Sequence, residues 1–281
     1  MSDADGVEVS RVCRALRKSR AAFYKAEKAR RRCGIDEALV LGLVRQVRAT
    51  HPRAGVRKLL IYLREELAKA GVAIGRDKLG ALLRRHGMLV EPRKTYTPKT
   101  TRFDASLPVA TNLIKDLNPD APGQALVADI TYIRTNEGFL YLSLLTDLYS
   151  RMIVGFAAAE SLETQGCLNA LTMALSTFDD TRARPIHHSD RGCQYSSRLY
   201  REALEAAGMK CSMTEELHCY ENSVAERVNG ILKQEYFLDI CFETKSEALS
   251  AIKQTIYFYN HLRVHESLDY KTPISVHISA A

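Results

Sequence analysis

Tryptophan is absent from the 281 residues, and no apolar run approaches the eighteen residues that a membrane-spanning helix needs. Residues 1–6 are acidic and lack the apolar core of a secretory signal peptide. The seven cysteines are widely spaced and contain no Cys-x-x-Cys pair, which disfavours a zinc ribbon or a disulfide framework. We therefore expect a cytoplasmic protein with reduced thiols and no membrane association.

Proline is scarce except in one region. Five of the eight prolines lie within residues 91–123. Proline ends helices and does not fit central strands, so this region is predicted to be a linker with at most one short element. It separates residues 1–90 from residues 124–281.

Positive charge is concentrated in the N-terminal part of the chain. Residues 1–103 contain 25 Lys and Arg against 10 Asp and Glu, whereas residues 104–281 contain 15 against 23. The resulting net charges are +15 and −8, and they favour a module that binds a polyanion joined to an acidic body. The alternative is that the Arg-rich helices are only solvated.

The N-terminal region shows helical periodicity throughout. Within residues 1–33 a short helix, a turn and a basic helix capped by Ser19 form a helix-turn-helix candidate. Asp36 is predicted to cap the first helix of a second basic helical region, residues 34–90. Several basic residues lie off the apolar stripes of that region and are candidate phosphate contacts: Arg57, Lys58, Arg84 and Arg85.

The C-terminal region, residues 124–281, alternates strand and helix patterns. Three β-rich runs begin at Ala125, Leu140 and Met152, and their short connections suit antiparallel neighbours. A helix from Thr164, a strand at 185–188, a helix from Ser197 and a strand at 209–213 follow. Further helices begin at Ser223 and Thr244. We expect a mixed α/β sheet with helices on its faces.

Three acidic residues lie at the ends of these elements. Asp129 is costly to bury in an apolar strand unless it is paired or bound to a metal, although an outward or edge position is the alternative. Asp190 follows a strand, where catalytic groups of α/β sheets gather, but it also suits a turn. Glu226 has a competing role in a capping box with Ser223. His187 and His188 are more typical of hydrogen-bonded supports than of ligands.

Helix geometry favours a functional role for Glu226. Asn222, Glu226 and Lys233 lie on one helical face, away from the apolar residues of the same helix. Such a face could hold a metal ion and a neighbouring phosphate. Three carboxylates that converge from separate elements are typical of two-metal phosphoryl transfer, in which the ions stabilise the attacking and the leaving oxygen.

The motifs around these acids resemble those of integrase-core transposases encoded by the larger reading frame of two-frame bacterial insertion sequences, and more distantly those of retroviral integrases. Before the first aspartate, this chain has Leu126 at the position where these transposases usually have tryptophan. The matching segments are Asp129-Ile130-Thr131-Tyr132, His188-Ser189-Asp190-Arg191-Gly192-Cys193-Gln194-Tyr195, Glu221-Asn222-Ser223-Val224-Ala225-Glu226-Arg227 with Leu232-Lys233, and the closing signature Tyr259-Asn260, Arg263, His265, Leu268 and Thr272-Pro273.

The resemblance implies an RNase H-like fold with a five-stranded mixed sheet, preceded by the all-α basic region, and makes residues 124–281 the integrase catalytic core. It implies two Mg²⁺ ions, replaceable by Mn²⁺, with Asp129 contacting both and Asp190 and Glu226 one each. Lys233 matches a basic residue that contacts DNA ends. Asn222, Arg191 and Gln194 are further expected DNA contacts.

The function expected from the resemblance is a DNA transposase that cleaves a strand and transfers its 3′-OH end. The expected partners are the terminal repeats of the element, target DNA, further copies of the chain on DNA, and the upstream-frame protein or a fusion with it, all at the nucleoid. Two alternatives stay open. One is an RNase H-like nuclease that only hydrolyses, and the other is a non-catalytic DNA-binding regulator.

Overall fold

The computed structural model describes residues 9–15, 17–91, 109–178, 184–215 and 221–279. The described chain forms two compact units. One contains the residues up to Thr50 together with Ala54–Val90, and the other contains His51–Arg53 and the residues from Glu91 onward. Most of the predicted linker, residues 92–108, lies outside the described residues, and residues 109–123 contain no helix or strand.

The described part of the first unit is entirely helical. Leucines that recur at helical spacing, among them Leu59, Leu63 and Leu79, are fully buried and form its core with Val40 and Val44. The Oγ atom of Ser19 accepts a hydrogen bond from the backbone N–H of Ala22 (3.1 Å), which confirms the predicted cap. The helices are α1 (Val9–Ala15), α2 (Arg20–Thr50), α3 (Val56–Tyr62), α4 (Arg64–Lys69) and α5 (Arg76–Arg85).

Helix α2 corrects one expectation. The sequence predicts a break near residue 33 and a new helix capped by Asp36, but the helix continues through both positions. The segment is rich in Ala, Arg, Lys and Glu, which are strong helix formers, and no proline occurs before Pro52. Gly34 costs only about 1 kcal/mol relative to alanine, so it does not end the helix.

The second unit is built on a mixed sheet. The strands are β1 (Ala125–Thr135), β2 (Gly138–Asp147), β3 (Ile153–Ala159), β4 (Ile186–Ser189), β5 (Lys210–Met213) and β6 (Cys241–Phe242). The main order is β3-β2-β1-β4-β5, with β1, β2 and β3 antiparallel and β4 and β5 parallel to β1. This is the RNase H-like arrangement, so the predicted mixed sheet is confirmed, with one strand more than the five expected.

The sixth strand is not predictable from the sequence pattern. Strand β6 contains only two residues, which pair in parallel with Arg134 and Thr135 at the end of β1. Two residues are too few to show the alternating pattern from which strands are predicted.

Helices cover both faces of the sheet. One buried apolar cluster joins β1 and β2 to the helices after Asn222, and a second joins β1 and β3 to the helices between β3 and β5. Among the described helices, none combines the length and apolar character required to cross a membrane. The helices of this unit are α6 (Thr164–Leu175), α7 (Cys193–Ser196), α8 (Arg198–Ala206), α9 (Ser223–Glu235), α10 (Lys245–His261) and α11 (Pro273–Ser279), with a 3₁₀ turn at Glu266–Leu268.

The closing signature ties the last helices to the sheet. The side-chain amide of Asn260 accepts a hydrogen bond from the N–H of Ile153 (3.0 Å) and donates one to its carbonyl (2.9 Å), as a neighbouring strand would. The hydroxyl of Tyr259 donates to the carbonyl of Arg151 (3.0 Å). Buried Arg263 forms a two-point ion pair with Glu235, each contact 2.9 Å long. These motif residues therefore stabilise the fold.

Candidate active site

Asp129 lies on β1 beyond the point where β4 pairs with it. Its Oδ1 accepts a hydrogen bond from the N–H of Ile130 (2.9 Å), and its Oδ2 accepts one from Nδ2 of Asn229 on α9 (2.7 Å). The residue is partly buried, and these two hydrogen bonds hold its carboxylate.

Asp190 follows β4 directly. The last paired residues of the β1–β4 ladder are Val127 and His188, so a continuation of this register by two residues places Asp129 level with Asp190. The Oδ1 of Asp190 accepts a hydrogen bond from the N–H of Gly192 (3.1 Å). A Cβ atom at Gly192 would lie 3.0 Å from that oxygen, so glycine fits this close turn. Asp190 therefore stabilises this turn and also lies level with Asp129.

Glu226 reaches the same region from α9. The N-cap of this helix is Asn222, without a side-chain capping bond, and the N–H of Glu226 donates to the backbone carbonyl of Asn222. The capping box with Ser223 is therefore not formed. Among the described residues the Glu226 carboxylate makes no capping bond, which favours a functional role over the capping alternative.

The three carboxylates act on one another electrostatically. Burial, followed by the charge of Asp190, raises the pKa of Asp129 from 3.8 to about 7, and Glu226 adds to the effect. The hydrogen bond from Asn229 opposes this increase. Burial and the charge of Asp190 also raise the pKa of Glu226. Asp129 and Glu226 each respond to Asp190, so the three acids belong to one electrostatic site.

This site is not a finished coordination cage. Within the described ranges, no three His, Cys, Asp or Glu side chains lie close enough together to hold a metal ion as they stand. The fold brings the three acids within electrostatic range, and a shared cation would require them to approach more closely.

The two histidines before Asp190 are buried supports, as the sequence suggests. His187 shares a hydrogen bond with the hydroxyl of Tyr200 (2.8 Å), and His188 shares one with the hydroxyl of Ser212 (2.8 Å). Burial is the main cause that lowers the pKa of His187 to about 3 and of His188 to about 4. Both rings are therefore neutral at physiological pH and brace β4 against its neighbours.

The side chains of the second unit that are expected to contact DNA differ in burial and in their hydrogen bonds. Asn222 is buried, and its Nδ2 donates to the carbonyl of Ala128 (3.0 Å). Gln194 is buried and donates to the carbonyl of Leu162 (2.8 Å), while Nε of Arg191 donates to the carbonyl of Thr214 (2.6 Å). Asn222 and Gln194 therefore hold the backbone in this arrangement, and their contact with DNA stays a prediction.

Lys233 is held differently. Its Nζ lies 4.2 Å from the centroid of the Tyr132 ring, a cation–π arrangement. Burial lowers its pKa, and the negative charge of Asp129 opposes that effect. Lys233 is therefore a charged group near the acids and is positioned by an aromatic ring.

The candidate phosphate contacts of the first unit lie on α3 and α5. Arg57, Arg84 and Arg85 are exposed and Lys58 is half-buried. Arg85 forms an ion pair with Glu37 (2.7 Å). Their exposure is compatible with phosphate binding, and their role stays a prediction.

Asn229 is the residue of the site that sequence analysis did not identify as functional. Its position three residues after Glu226 places it on the same helical face, and this spacing is the signal that could have identified it. Its bond to Asp129 depends on the packing of α9 against β1, which spacing alone does not reveal.

Comparison with known proteins identifies the same core. Residues 119–219 match the model of one integrase core domain family, and residues 207–273 match that of a second integrase core domain family. The chain is 38% identical over 240 residues to "Insertion element IS600 uncharacterized 31 kDa protein" of Shigella sonnei, with 85% of this chain and 86% of that protein covered. It is 32% identical over 231 residues to "Transposase InsF for insertion sequence IS3A" of Escherichia coli strain K12, with 81% and 78% covered.

Solved structures with lower similarity include retroviral integrases. The HTLV-2 integrase catalytic core domain in complex with magnesium is 20% identical, with a TM-score of 0.45, and the alignment covers 57% of this chain and 99% of that one. The simian T-cell lymphotropic virus intasome in complex with a PP2A regulatory subunit is 17% identical, with a TM-score of 0.48, and the alignment covers 83% of this chain and 73% of that one.

An RNase H-like sheet with one acid on its central strand, a second just after the neighbouring strand and a third on a flanking helix defines the polynucleotidyl transferases with an integrase core. The relatives make the assignment more specific: the chain belongs to the integrase-core transposases of bacterial insertion sequences related to IS3 and IS600. The expected family is confirmed, and the relatives support the expected assignment as a DNA transposase.

Proposed function

We propose that this transposase cleaves a DNA strand at each end of its insertion sequence and transfers the freed 3′-OH to target DNA, using Asp129, Asp190 and Glu226 as its catalytic acids. The supporting observation is that carboxylates from β1, the turn after β4, and α9 act on one another electrostatically. Such a group is otherwise costly, because like charges oppose ionisation in a partly buried place.

The side chains present fit a hard divalent cation. Carboxylate and amide oxygens are the ligands that Mg²⁺ prefers, and Mn²⁺ accepts the same set. Beside Asp129, the buried Oδ1 of Asn229 has no hydrogen-bond partner among the described residues. We propose that Asp129 is shared by two Mg²⁺ ions and that Asp190 and Glu226 each hold one. When bound, the ions supply charge stabilisation to the attacking and leaving oxygens of the phosphodiester.

The remaining residues would orient DNA. Lys233 contributes a positive charge near the acids, where the phosphate of an element end can lie. Arg191 lies in the turn that contains Asp190 and is only partly buried. The basic residues Arg57, Lys58, Arg84 and Arg85 would bind phosphates of the duplex and increase affinity without reading sequence.

We also propose a division of the chain that follows these roles. Residues 1–33 form a helix-turn-helix-like segment that shares the continuous helix α2 with a basic DNA-binding domain of residues 34–90, while residues 91–123 form a linker and residues 124–281 the integrase catalytic core. Joining two element ends to one target requires several copies of the chain on DNA. The upstream-frame protein, or a fusion with it, would add further DNA recognition at the nucleoid.

The test is strand transfer with oligonucleotides that carry the ends of the chain's own element, with and without Mg²⁺. Asp190→Asn should abolish both cleavage and joining while DNA affinity changes little, because the substitution removes a carboxylate and keeps the shape of the side chain. A variant as active as the wild type would refute the assignment of the acids.

The two alternatives differ in their products. A pre-cleaved donor end is joined to target DNA by a transposase, whereas a nuclease that only hydrolyses leaves it unjoined. A non-catalytic regulator binds DNA equally well with and without Mg²⁺ and forms neither product.

A further inference from the structure

Between its pairings with β4 and with β6, β1 has an open edge that α9 reaches with two asparagines. Pairing with β4 ends at Val127, so the carbonyl of Ala128 has no strand partner on that side within the described sheet. Nδ2 of Asn222 donates to this carbonyl at 3.0 Å. Nδ2 of Asn229 donates to the next residue, at Oδ2 of Asp129, at 2.7 Å. Helix α9 therefore holds two neighbouring residues of β1 by hydrogen bonds.

These asparagines lie on either side of Glu226 in the sequence. Asn222 precedes it by four residues and Asn229 follows it by three, so all three side chains lie on one face of the helix. Helix α9 is therefore hydrogen-bonded to β1 through Asn222, before Glu226, and through Asn229, after it. The two bonds fix the register of Glu226 against Asp129.

Both hydrogen bonds are made by buried asparagine side chains. Asn222 and Asn229 are only 3% and 7% exposed, and neither Oδ1 atom has a partner among the described residues. Within that part of the chain, the only hydrogen bonds made by these two side chains are the donations from Nδ2. Buried amides with an unpaired oxygen are costly, so a purely structural role would be served better by an apolar side chain.

We propose that Asn222 and Asn229 are positioning residues that set the distance between Asp129 and Glu226 and thereby the affinity of the site for divalent cations. This inference rests on the proposed role of the acids. Groups that orient metal ligands typically change metal affinity by about 10–100-fold when they are removed.

The test measures metal binding by the full chain without DNA. MnCl₂ is the probe, because the paramagnetic resonance signal of free Mn²⁺ reports the unbound ion, and MgCl₂ is added as a competitor. Asn229→Leu, which has a similar volume and no donor, should weaken Mn²⁺ binding about ten-fold or more, and Asn222→Leu should weaken it in the same direction.

Asn169→Leu is the matched control. Asn169 is an exposed asparagine on α6 whose side chain accepts a hydrogen bond from Gln165 on the same helix. The substitution removes an amide of the same kind far from β1 in sequence, so Mn²⁺ affinity should stay at the wild-type value.

Asn229→Ser keeps the test informative where leucine prevents folding, because serine is small and retains a hydroxyl. Its Mn²⁺ affinity should lie between those of the wild type and the leucine variant. Folded Asn229→Leu or Asn229→Ser protein with wild-type Mn²⁺ affinity would overturn the inference. Wild-type protein that binds Mn²⁺ but joins no DNA would instead count against the proposed function.

Discussion

Asp129 is an aspartate whose ionisation is opposed by the fold. Its pKa is 3.8 in an ordinary setting and about 7 in the folded chain, with burial as the first cause and Asp190 as the second. The folded state therefore retains this proton at higher pH than the unfolded chain. The stability associated with the raised pKa is fully present below about pH 4 and is lost as the pH rises through 7.

We predict that Asp129→Asn is more stable than the wild type at pH 8 in EDTA, and that the difference shrinks at pH 6 and again at pH 5. Asparagine is neutral at every pH, so the variant avoids the cost of an ionised, crowded carboxylate. Thermal unfolding at the three pH values measures the difference. Asp116→Asn, at an exposed position, is the control and should show no such trend. A difference independent of pH would contradict the raised pKa.

Tyr132 positions the ammonium group of Lys233, and this leads to a second prediction. Tyr132→Leu should weaken binding to element ends about three-fold to ten-fold, because a cation–π contact contributes about 0.5–2 kcal/mol and its loss frees the lysine to move. Tyr132→Phe retains the ring and should bind like the wild type. Fluorescence anisotropy with labelled element ends at constant salt measures the affinity of both variants. A leucine variant that binds as tightly as the wild type would show that the ring does not position Lys233.

At the scale of elements, the packing of α6 on β3 requires the absence of a side chain. A Cβ atom at Gly155 would lie 2.2 Å from the carbonyl oxygen of Ala170 and 2.8 Å from Cβ of Ala174. The helix backbone would have to shift to accommodate it. Gly155 is therefore a point of close approach between a helix and a strand.

We predict that Gly155→Ala lowers the free energy of unfolding by about 1–3 kcal/mol, the usual cost of overpacking. Gly230→Ala, within α9, is the matched control, because a Cβ there meets nothing within 4 Å. That control should raise stability by about 0.5–1 kcal/mol, since alanine is the better helix former. Calorimetry measures both, and a stabilising Gly155→Ala would contradict the close packing.

The sequence predicts the elements of the core better than the contacts between them. The five main strands and helices α6, α8, α9 and α10 are predicted correctly, because apolar side chains recur at periods that local geometry fixes. The short helices α7 and α11 are not predicted. Helix α2 is not predicted as a single element, because Asp36 resembles an N-cap. The high helix propensity of the whole segment keeps it continuous. The bond of Asn229 to Asp129 and the clamp of Asn260 on Ile153 are not predictable from periodicity, because both depend on tertiary packing.

For the whole molecule, the separation of charge along the chain indicates a division of roles. The net charge of +15 on residues 1–103 would attract DNA, whereas residues 104–281, with a net charge of −8, include the acids that would hold cations. Binding to phosphates releases counterions, so it makes affinity depend on salt.

We predict that Arg57→Gln combined with Arg84→Gln lowers the slope of log affinity against log salt by up to about two, roughly one for each phosphate that is no longer neutralised. Mn²⁺ affinity should not change. Lys253→Gln combined with Lys271→Gln removes the same charge from the second unit and should leave the slope nearly constant. DNA binding measured from low to moderate salt distinguishes the pairs, and equal slopes would argue against the predicted phosphate binding by α3 and α5.

The amide of Asn260 has a consequence for assembly. Strand β3 lies at the outer margin of the sheet, and unpaired backbone groups there are a template for another chain. Because Asn260 occupies both backbone groups of Ile153, this margin is partly closed to unwanted strand addition. If several copies gather at one place, as proposed above, the chain can thus be concentrated with less risk of forming fibrils.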